Sequence, residues 1–150
     1  MRVYLDNCCY NRPYDNHSQL TVSLESQAKL LVQSLIQQGQ IELAASYMLV
    51  YENSVNPYEM RRDTIAEFIE RNASVYVDIG NKKIVENIAS EIMNTGVKHA
   101  DACHVACAVV ASCDYFLTTD KRLLKYRPER MQILNPIDFV RILGDENDDK

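Results

Sequence analysis

Residues Lys98 to Asp120 read KHADACHVACAVVASCDYFLTTD, and this stretch decides how the rest of the chain is interpreted. Between Ala100 and Cys113 the clearly polar residues are Asp101, His104 and Ser112. A helix that is apolar almost all round is typical of a protein interior. A buried carboxylate costs several kcal/mol unless it is paired or coordinates a cation, so Asp101 needs a partner. That partner is either a bound cation or the basic half of an internal salt bridge.

A short β-prone run, Tyr115 to Thr118, follows the predicted helix, and Asp120 comes just after it. Asp6 follows a similar run, Arg2 to Leu5. Because ligands of open α/β sheets bind beyond the carboxyl ends of the strands, both acids are candidates for a functional site.

Strand-like and helix-like segments alternate along the chain. The strand-like runs are 2–5, 41–45, 74–79, 115–118 and 132–134. The segments with apolar stripes or helix-capping residues are 18–38, 46–52, 56–71, 81–94, 100–113, 121–126 and 136–143, and a loop is expected at 7–17. This alternation predicts an α/β fold with a mostly parallel central sheet of four to five strands and helices on both faces. The period-2 pattern at 74–79 favours an edge strand.

Length and composition bound the class of protein. With 150 residues, of which 47% are hydrophobic, we expect a single domain at 1–143 and an acidic, disordered tail at 144–150. No apolar run approaches the ~18 residues of a membrane span, and the first residues do not resemble a signal peptide, so we expect a soluble, cytoplasmic protein. The net charge of -5 is not that of a basic nucleic-acid-binding protein. Contact with a polyanion would need a local basic patch or metal ions.

Five cysteines form no recognisable disulfide pattern, and free thiols are the simplest interpretation in a reducing compartment. Cys103 and Cys107 lie four apart on the predicted helix, beside His104, and could share a metal only with ligands from elsewhere. A structural zinc site requires four ligands, and the sequence offers no second cluster.

Four acids follow strands or lie on the buried helix, and the expected fold brings them to one rim of the sheet. They are Asp6, Glu52, Asp101 and Asp120. Crowded carboxylates repel one another unless a cation lies between them, and Mg²⁺ or Mn²⁺ prefers oxygen ligands. One or two such ions, about 4 Å apart if two, would activate water for phosphodiester hydrolysis. Glu52 taken alone is equally well explained as a surface or ion-paired carboxylate.

Four short segments together resemble the PIN domain, a Mg²⁺/Mn²⁺-dependent nuclease fold that includes ribonuclease toxins of bacterial toxin–antitoxin modules. They are VYLDNCCYNRP at the start, SYMLVYE in the middle, ADACHVACA on the buried helix and FLTTD after the fourth strand. The resemblance implies a three-layer sandwich, a metal held by the four acids, a homodimer, and a cognate antitoxin as partner. It also implies that the Thr118 hydroxyl helps to hold the last acid. Asn7 departs from the Ser or Thr of many relatives, although an amide can still donate to a phosphate.

Several residues could support such a site. His104 is three residues after Asp101, so it could hydrogen-bond that carboxylate or touch substrate, or be an ordinary half-buried histidine. Tyr10 and Tyr14 could stack on unpaired bases or pack the first loop down. The residues that could contact the RNA backbone are basic and flank the acids; equally, they could form a solvated surface. They are Arg12, Lys121, Arg122, Lys125, Arg127 and Arg130.

The sequence therefore favours a metal-dependent endoribonuclease acting on single-stranded or loop RNA. The alternative is a PIN-fold RNA-binding or scaffold module with little catalysis. A receiver or phosphatase with another doubly wound fold fits less well, because neither an Asp-Asp pair nor a Gly-rich phosphate loop follows the first strand.

Overall fold

A computed structural model of the protein describes residues 1–148, in which strands and helices alternate. The strands are β1 (Arg2–Leu5), β2 (Glu42–Ser46), β3 (Ala73–Val77), β4 (Tyr115–Leu117) and β5 (Gln132–Leu134). The α-helices are α1 (Asn7–Asn11), α2 (Leu20–Gln37), α3 (Tyr47–Ser54), α4 (Glu59–Asn72), α5 (Lys82–Met93), α6 (His99–Val110) and α7 (Pro136–Asp148). Single 3₁₀ turns lie at Arg12–Tyr14, Ile79–Asn81 and Leu123–Lys125.

The five strands form one sheet in the order β3-β2-β1-β4-β5, and every pair is parallel. This confirms the predicted α/β fold. β1 is the central strand, and its residues Val3, Tyr4 and Leu5 are fully buried, as expected for a parallel strand covered on both faces. β3 is an edge strand, also as predicted, and Tyr76 on it is half exposed.

Strand order reverses at β1. The chain moves outward from β1 to β2 and β3 in one direction, and then returns to add β4 and β5 on the other side. Because such crossovers are right-handed, the two sets of connecting helices lie on opposite faces of the sheet. α5 packs against α6, and α2 packs against α7. The reversal between β1 and β4 opens a crevice beyond their carboxyl ends, which is where α/β proteins bind ligands.

α6 is the interior helix that the sequence predicts, and it is buried continuously from Ala102 to Ala108. It ends in a turn in which the N–H of Cys113 donates to the carbonyl of Ala108 at 3.0 Å. Ser112 takes the left-handed conformation there, with φ 57, a position that usually carries glycine. The turn directs the chain from α6 straight into β4.

Near the carboxyl ends of the strands, three element boundaries differ from the expected ones. The loop expected at 7–17 begins with α1, because Asp6 caps it by accepting from the N–H of Asn7 at 2.8 Å. The helix expected at 121–126 is only the turn Leu123–Lys125. The strand expected to reach 79 ends at Val77, and a 3₁₀ turn begins two residues later, at Ile79.

Two helices also differ in their limits. α4 begins at Glu59 rather than after Asn56, because the Asn56 side chain accepts from the N–H of Tyr58 and forms a turn before the helix. α7 continues through the first part of the expected tail to Asp148. The last two residues of that tail, 149 and 150, lie outside the described residues. None of the described helices is long and apolar enough to cross a lipid bilayer.

Candidate active site

The first and last of the four acids meet at the reversal in strand order. Asp6 follows β1 and Asp120 follows β4, and the two strands pair with Leu5 opposite Leu117. The backbone N–H of Asp6 continues the pairing by donating to the carbonyl of Leu117 at 2.9 Å. Both acids therefore lie at the same end of adjacent strands, as the carboxyl-end rule predicts.

Thr118 joins these two acids from a fully buried position. Its hydroxyl donates to Asp6 Oδ2 at 2.8 Å and accepts from the backbone N–H of Asp120 at 3.1 Å. The hydroxyl thus holds the carboxylate of the first acid and the backbone of the last. The Asp120 carboxylate has donors of its own, because its Oδ1 accepts from the N–H of Arg122 at 2.8 Å.

Cys8 is a member of this cluster that the sequence did not indicate. Its sulfur lies 3.4 Å from Asp6 Oδ2 and 3.4 Å from Thr118 Oγ1, and accepts from the N–H of Thr119 at 3.3 Å. A hydrogen bond with Cys9, aided by Thr118 and Thr119, lowers the pKa of Cys8 despite burial and the charge of Asp6. Its position two residues after Asp6 was visible, but nothing in the sequence showed that α1 turns the thiol back toward the acid.

Asn7 occupies the mouth of the same loop. Its side-chain oxygen accepts from Asn11 Nδ2 at 3.2 Å, and Asn11 Oδ1 in turn accepts from Asn56 Nδ2 at 3.1 Å. This row of amides ties the loop after β1 to the segment before α4. Asn7 is half-buried beside Asp6.

Glu52 reaches the site from α3 and is paired with His104. His104 Nε2 lies 2.9 Å from Glu52 Oε1, although the oxygen lies off the direction of the N–H bond. On the other side of the ring, Nδ1 lies 2.7 Å from the Tyr4 hydroxyl. The sequence placed His104 beside Asp101, whereas its direct carboxylate partner is Glu52. His104 is 1% exposed, so it supports the site from behind and does not face substrate.

Asp101 lies near enough to the other three acids for their charges to act on its carboxyl group. Burial raises the pKa of Asp101, and the charges of Asp6, Asp120 and Glu52 raise it further, against the opposing effect of His104. Burial by itself lowers the pKa of His104, but contact with Glu52 and the charges of Asp6 and Asp101 raise it overall. The site is therefore a concentration of negative charge that a cation would relieve.

The donor set fits a hard divalent cation in its chemistry. Carboxylate oxygens are the ligands that Mg²⁺ and Mn²⁺ prefer. Burial, and then the charges of the neighbouring acids, raise the pKa of Asp101, and a bound cation would oppose both effects. In residues 1–148 no three His, Cys, Asp or Glu side chains stand close enough to hold an ion as a preformed cage. Asp6, Glu52, Asp101 and Asp120 are the residues whose oxygens would hold such an ion.

The five thiols are all free, and those on α6 are interior. Cys103 Sγ lies 3.4 Å from His99 Nε2, one turn earlier on the same helix. Burial raises the pKa of Cys107 to about 11, which disfavours the thiolate that zinc requires.

A cleft of about 390 Å³ opens beside Asp101 and Asp120. Its wall includes three of the basic residues that the sequence predicts to contact RNA, Arg122, Lys125 and Arg127. Lys98, which the sequence analysis missed, also lines it. Lys98 is three residues before Asp101, a helical spacing that could have indicated a shared face. The cleft places cations beside the acids, which suits a polyanion that must approach them.

Other predicted contacts are placed differently. Lys121 and Arg130 are exposed but are not among the residues that line this cleft. Arg12 is engaged by the protein itself, since its guanidinium lies 3.3 Å from Glu25, 3.1 Å from Asp15 and 2.7 Å from the Thr119 hydroxyl. It anchors the first loop.

The two loop tyrosines also have different positions. Tyr10 is 1% exposed and packs against Phe68, so base stacking by Tyr10 is wrong and loop packing is correct. Tyr14 is half exposed, with the Arg61 guanidinium 4.9 Å from the centre of its ring.

Comparison with known proteins adds to this geometry. No family model and no curated protein matches the sequence, whereas seven chains of solved structures match the fold. A chain from the structure of VapBC2 of Rickettsia felis superposes with a TM-score of 0.59 at 10% identity, over 90% of this chain and 98% of that chain. In that structure VapBC2 is bound to a DNA fragment from its promoter. The fold is that of a PIN domain.

Two further PIN-type matches come from one system. FitAcB from Neisseria gonorrhoeae has a TM-score of 0.52 at 18% identity, over 89% of this chain and 97% of that chain. FitAB bound to an IR36 DNA fragment has a TM-score of 0.53 at 18% identity, over 90% and 95%. The likeness covers nearly the whole PIN domain in each case, and at these identities it concerns the fold alone.

Proposed function

We propose that this PIN-fold protein is a metal-dependent endoribonuclease and the toxin of a toxin–antitoxin pair. The observation that supports the proposal is the placement of Asp6 and Asp120 at the same ends of β1 and β4, joined through Thr118 at the reversal of strand order. Asp101 lies beside them, and their charges and that of Glu52 add to the rise that burial causes in its pKa. A protein without a cation at this rim would gain from replacing one of these acids, whereas a nuclease needs them all.

Each acid is assigned a share in holding one or two Mg²⁺ or Mn²⁺ ions. The bound metal supplies an activated water and stabilises the leaving oxygen of the phosphodiester. Thr118 orients the Asp6 carboxylate, and His104 orients the Glu52 carboxylate. Asn7, at the mouth, can donate its amide N–H to a phosphate oxygen.

The basic wall of the cleft binds the RNA backbone. Lys98, Arg122, Lys125 and Arg127 stand beside Asp101 and Asp120, so phosphates next to the scissile bond meet cations while the scissile phosphate faces the acids. Lys121 lies exposed next to Asp120 and extends this basic surface. We assign unpaired RNA to this surface, since the bases of single strands and loops can be splayed out toward a protein surface.

Cleavage of end-labelled single-stranded, hairpin and duplex RNA tests the proposal directly. We expect cuts at unpaired positions with Mg²⁺ or Mn²⁺, none in EDTA, and recovery when excess metal is restored. Asp101→Asn and Asp120→Asn should each lower the rate by more than about 100-fold, since even outer partners of metal ligands are worth 10–100-fold. Glu129→Gln, an exposed acid before β5, is the matched control and should cleave normally.

Two outcomes would separate the alternatives. Cleavage that persists in excess chelator would overturn the metal mechanism. Metal-independent RNA binding without any cleavage would instead identify a binding or scaffold module.

The toxin role has its own test. The VapBC2 and FitAB neighbours are named as two-component complexes on DNA, which supports an antitoxin partner for this chain. Induction of the wild-type chain in a bacterial host should arrest growth, Asp101→Asn should not, and co-expression of the adjacent coding sequence should relieve the arrest. A growth curve unchanged by the wild type would refute the toxin assignment.

We also expect a homodimer, which light scattering of the purified chain at high concentration would show.

A further inference from the structure

A buried row of polar side chains runs behind Glu52. The Ser46 and Tyr4 hydroxyls lie 2.7 Å apart, the Tyr4 hydroxyl lies 2.7 Å from His104 Nδ1, and His104 Nε2 lies 2.9 Å from Glu52 Oε1. Ser46 and Tyr4 are fully buried, and His104 nearly so. Groups this deep are costly unless each finds a partner, so the row is held together strongly.

One assignment of hydrogens satisfies both hydroxyls of the row and Nδ1 of His104. The Leu49 N–H donates to the Ser46 hydroxyl at 3.3 Å, Ser46 donates to Tyr4, and Tyr4 donates to His104 Nδ1. The imidazole then carries its proton on Nε2, the nitrogen that faces Glu52. The Tyr4 hydroxyl thus fixes both the tautomer and the orientation of the ring, as outer partners of ligating groups do elsewhere.

The row also closes on the helix that carries Glu52. Ser46 is the N-cap of α3, and Glu52 lies on that helix. One end of the row therefore sets where α3 begins, and the other end contacts a side chain that α3 presents. β1, β2 and α6 each supply a member, so the carboxylate is located relative to three elements of the core.

We propose that Tyr4 is a positioning residue for Glu52, acting through His104. This inference rests on the proposed function, because Glu52 matters only if it holds a metal. The Glu52 oxygen lies close to Nε2 but off the N–H direction, so a small rotation of the ring changes the contact strongly. Tyr4 limits that rotation, and without it Glu52, whose side chain is 29% exposed, is free to turn toward solvent.

The test compares two buried tyrosines that differ in their partners. Tyr4→Phe removes the hydroxyl bonded to His104, whereas Tyr10→Phe removes a buried hydroxyl that has no hydrogen-bond partner among the described residues. Mn²⁺ binding is measured by electron paramagnetic resonance on RNA-free protein at one pH, well below each melting temperature. We expect Tyr4→Phe to weaken Mn²⁺ binding by about 10-fold, the usual effect of an outer partner, and Tyr10→Phe to leave it unchanged.

A double-mutant cycle shows whether the effect passes through Glu52. In a Glu52→Gln background, Tyr4→Phe should cause no further loss of Mn²⁺ affinity, because the carboxylate that it positions is gone. His104→Gln keeps an amide N–H near the place of Nε2 and should retain more affinity than His104→Asn, whose amide reaches only toward Tyr4. The KM for RNA should stay the same in Tyr4→Phe and Tyr10→Phe, because neither tyrosine lines the basic cleft.

The outcomes separate this inference from the proposed function. Mn²⁺ affinity equal to wild type in Tyr4→Phe, or an equal loss in Tyr10→Phe, would overturn the positioning role even if the wild type binds metal and cleaves RNA. A full 10-fold effect of Tyr4→Phe in the Glu52→Gln background would show that Tyr4 acts by another route. No Mn²⁺ binding by the wild type would refute the metal site itself, and the positioning role with it.

Discussion

Replacing Thr118 with valine removes one hydroxyl and keeps the shape of a fully buried side chain. That hydroxyl donates to Asp6 at 2.8 Å and accepts from the N–H of Asp120 at 3.1 Å. The variant therefore leaves a carboxylate without one of its donors and a backbone N–H without its acceptor, while adding a methyl group to the core.

The expected magnitude follows from these three changes. A hydrogen bond to a charged group contributes about 1.5–3 kcal/mol and a neutral one about 1 kcal/mol. The extra buried methyl group offsets about 0.8 kcal/mol. The net loss in the free energy of unfolding is about 2–3 kcal/mol, or roughly 4–12 °C in melting temperature for a chain of this size.

Thermal unfolding followed by circular dichroism, on metal-free protein at neutral pH, measures this loss. Thr118→Ser is the matched variant, since it keeps the hydroxyl and removes only a methyl group, for about 0.5–1.5 kcal/mol. RNA cleavage should fall sharply in Thr118→Val and survive in Thr118→Ser. The role given to the hydroxyl would be refuted if Thr118→Val melted within a degree of wild type. It would also be refuted if Thr118→Ser lost more free energy of unfolding than Thr118→Val.

The remaining predictions concern charge, backbone strain and the thiols. Burial and neighbouring acids raise the pKa of Asp101 in the folded state, so its carboxylate destabilises the fold only as pH rises through that pKa. Metal-free Asp101→Asn should therefore match wild type near pH 3 and be more stable at pH 7.5. Urea unfolding that finds the variant less stable at pH 7.5 would make Asp101 a structural partner instead. Lys98→Glu and Lys125→Glu should each lower the log–log salt slope of RNA binding by about one, and an unchanged slope would mark a solvated surface. Ser112→Gly should raise the free energy of unfolding by about 1 kcal/mol by relieving the left-handed backbone, which a chemical denaturation curve would detect; a loss would mean that the serine side chain stabilises the turn. Elemental analysis should find no stoichiometric zinc, and zinc lost on Cys103→Ser would contradict the assignment of free thiols.

The sequence predicted the elements whose signals are local. α6 was predicted because it is apolar almost all round, and the parallel sheet from the alternation of strands and helices. The carboxyl-end rule then brought Asp6 and Asp120 together without any knowledge of strand order. These predictions succeed because they depend on periodicity and on one general property of α/β folds.

The parts that the sequence missed depend on contacts between distant residues. Nothing near His104 in sequence indicates that Glu52 and Tyr4 lie on either side of its ring, since those partners come from α3 and β1. Lys98 is different, because its helical spacing to Asp101 could have indicated it. The thiol of Cys8 joins the site through Thr118 and Thr119, which are also distant in sequence. The neighbours of His104 and Cys8 are set by how the helices cross the sheet, which no short stretch of sequence encodes.

Two local boundaries failed for other physical reasons. The Asp120 carboxylate accepts from the N–H of Arg122 and so makes a tight turn where a helix was expected, and Pro128 follows soon after. α7 was expected to end near Leu143, the last residue packed on the core, yet it continues to Asp148. Once a helix is anchored, each further residue adds a hydrogen bond at little entropic cost, so a polar end can extend it.

The position of β1 also governs when the site can form during synthesis. Thr118 and Asp6, which form one hydrogen bond, are 112 residues apart in the chain, and β1 pairs with β4 across the same separation. β1 therefore leaves the ribosome long before its partner β4, and the site cannot assemble around Asp6 until Asp101 and Asp120 have been synthesised. Closing so long a loop is slow compared with forming a helix, which makes this pairing a late step of folding. A translation product interrupted before β4 lacks Asp120 and has no assembled rim, so under the proposed function a stalled ribosome would release no active nuclease.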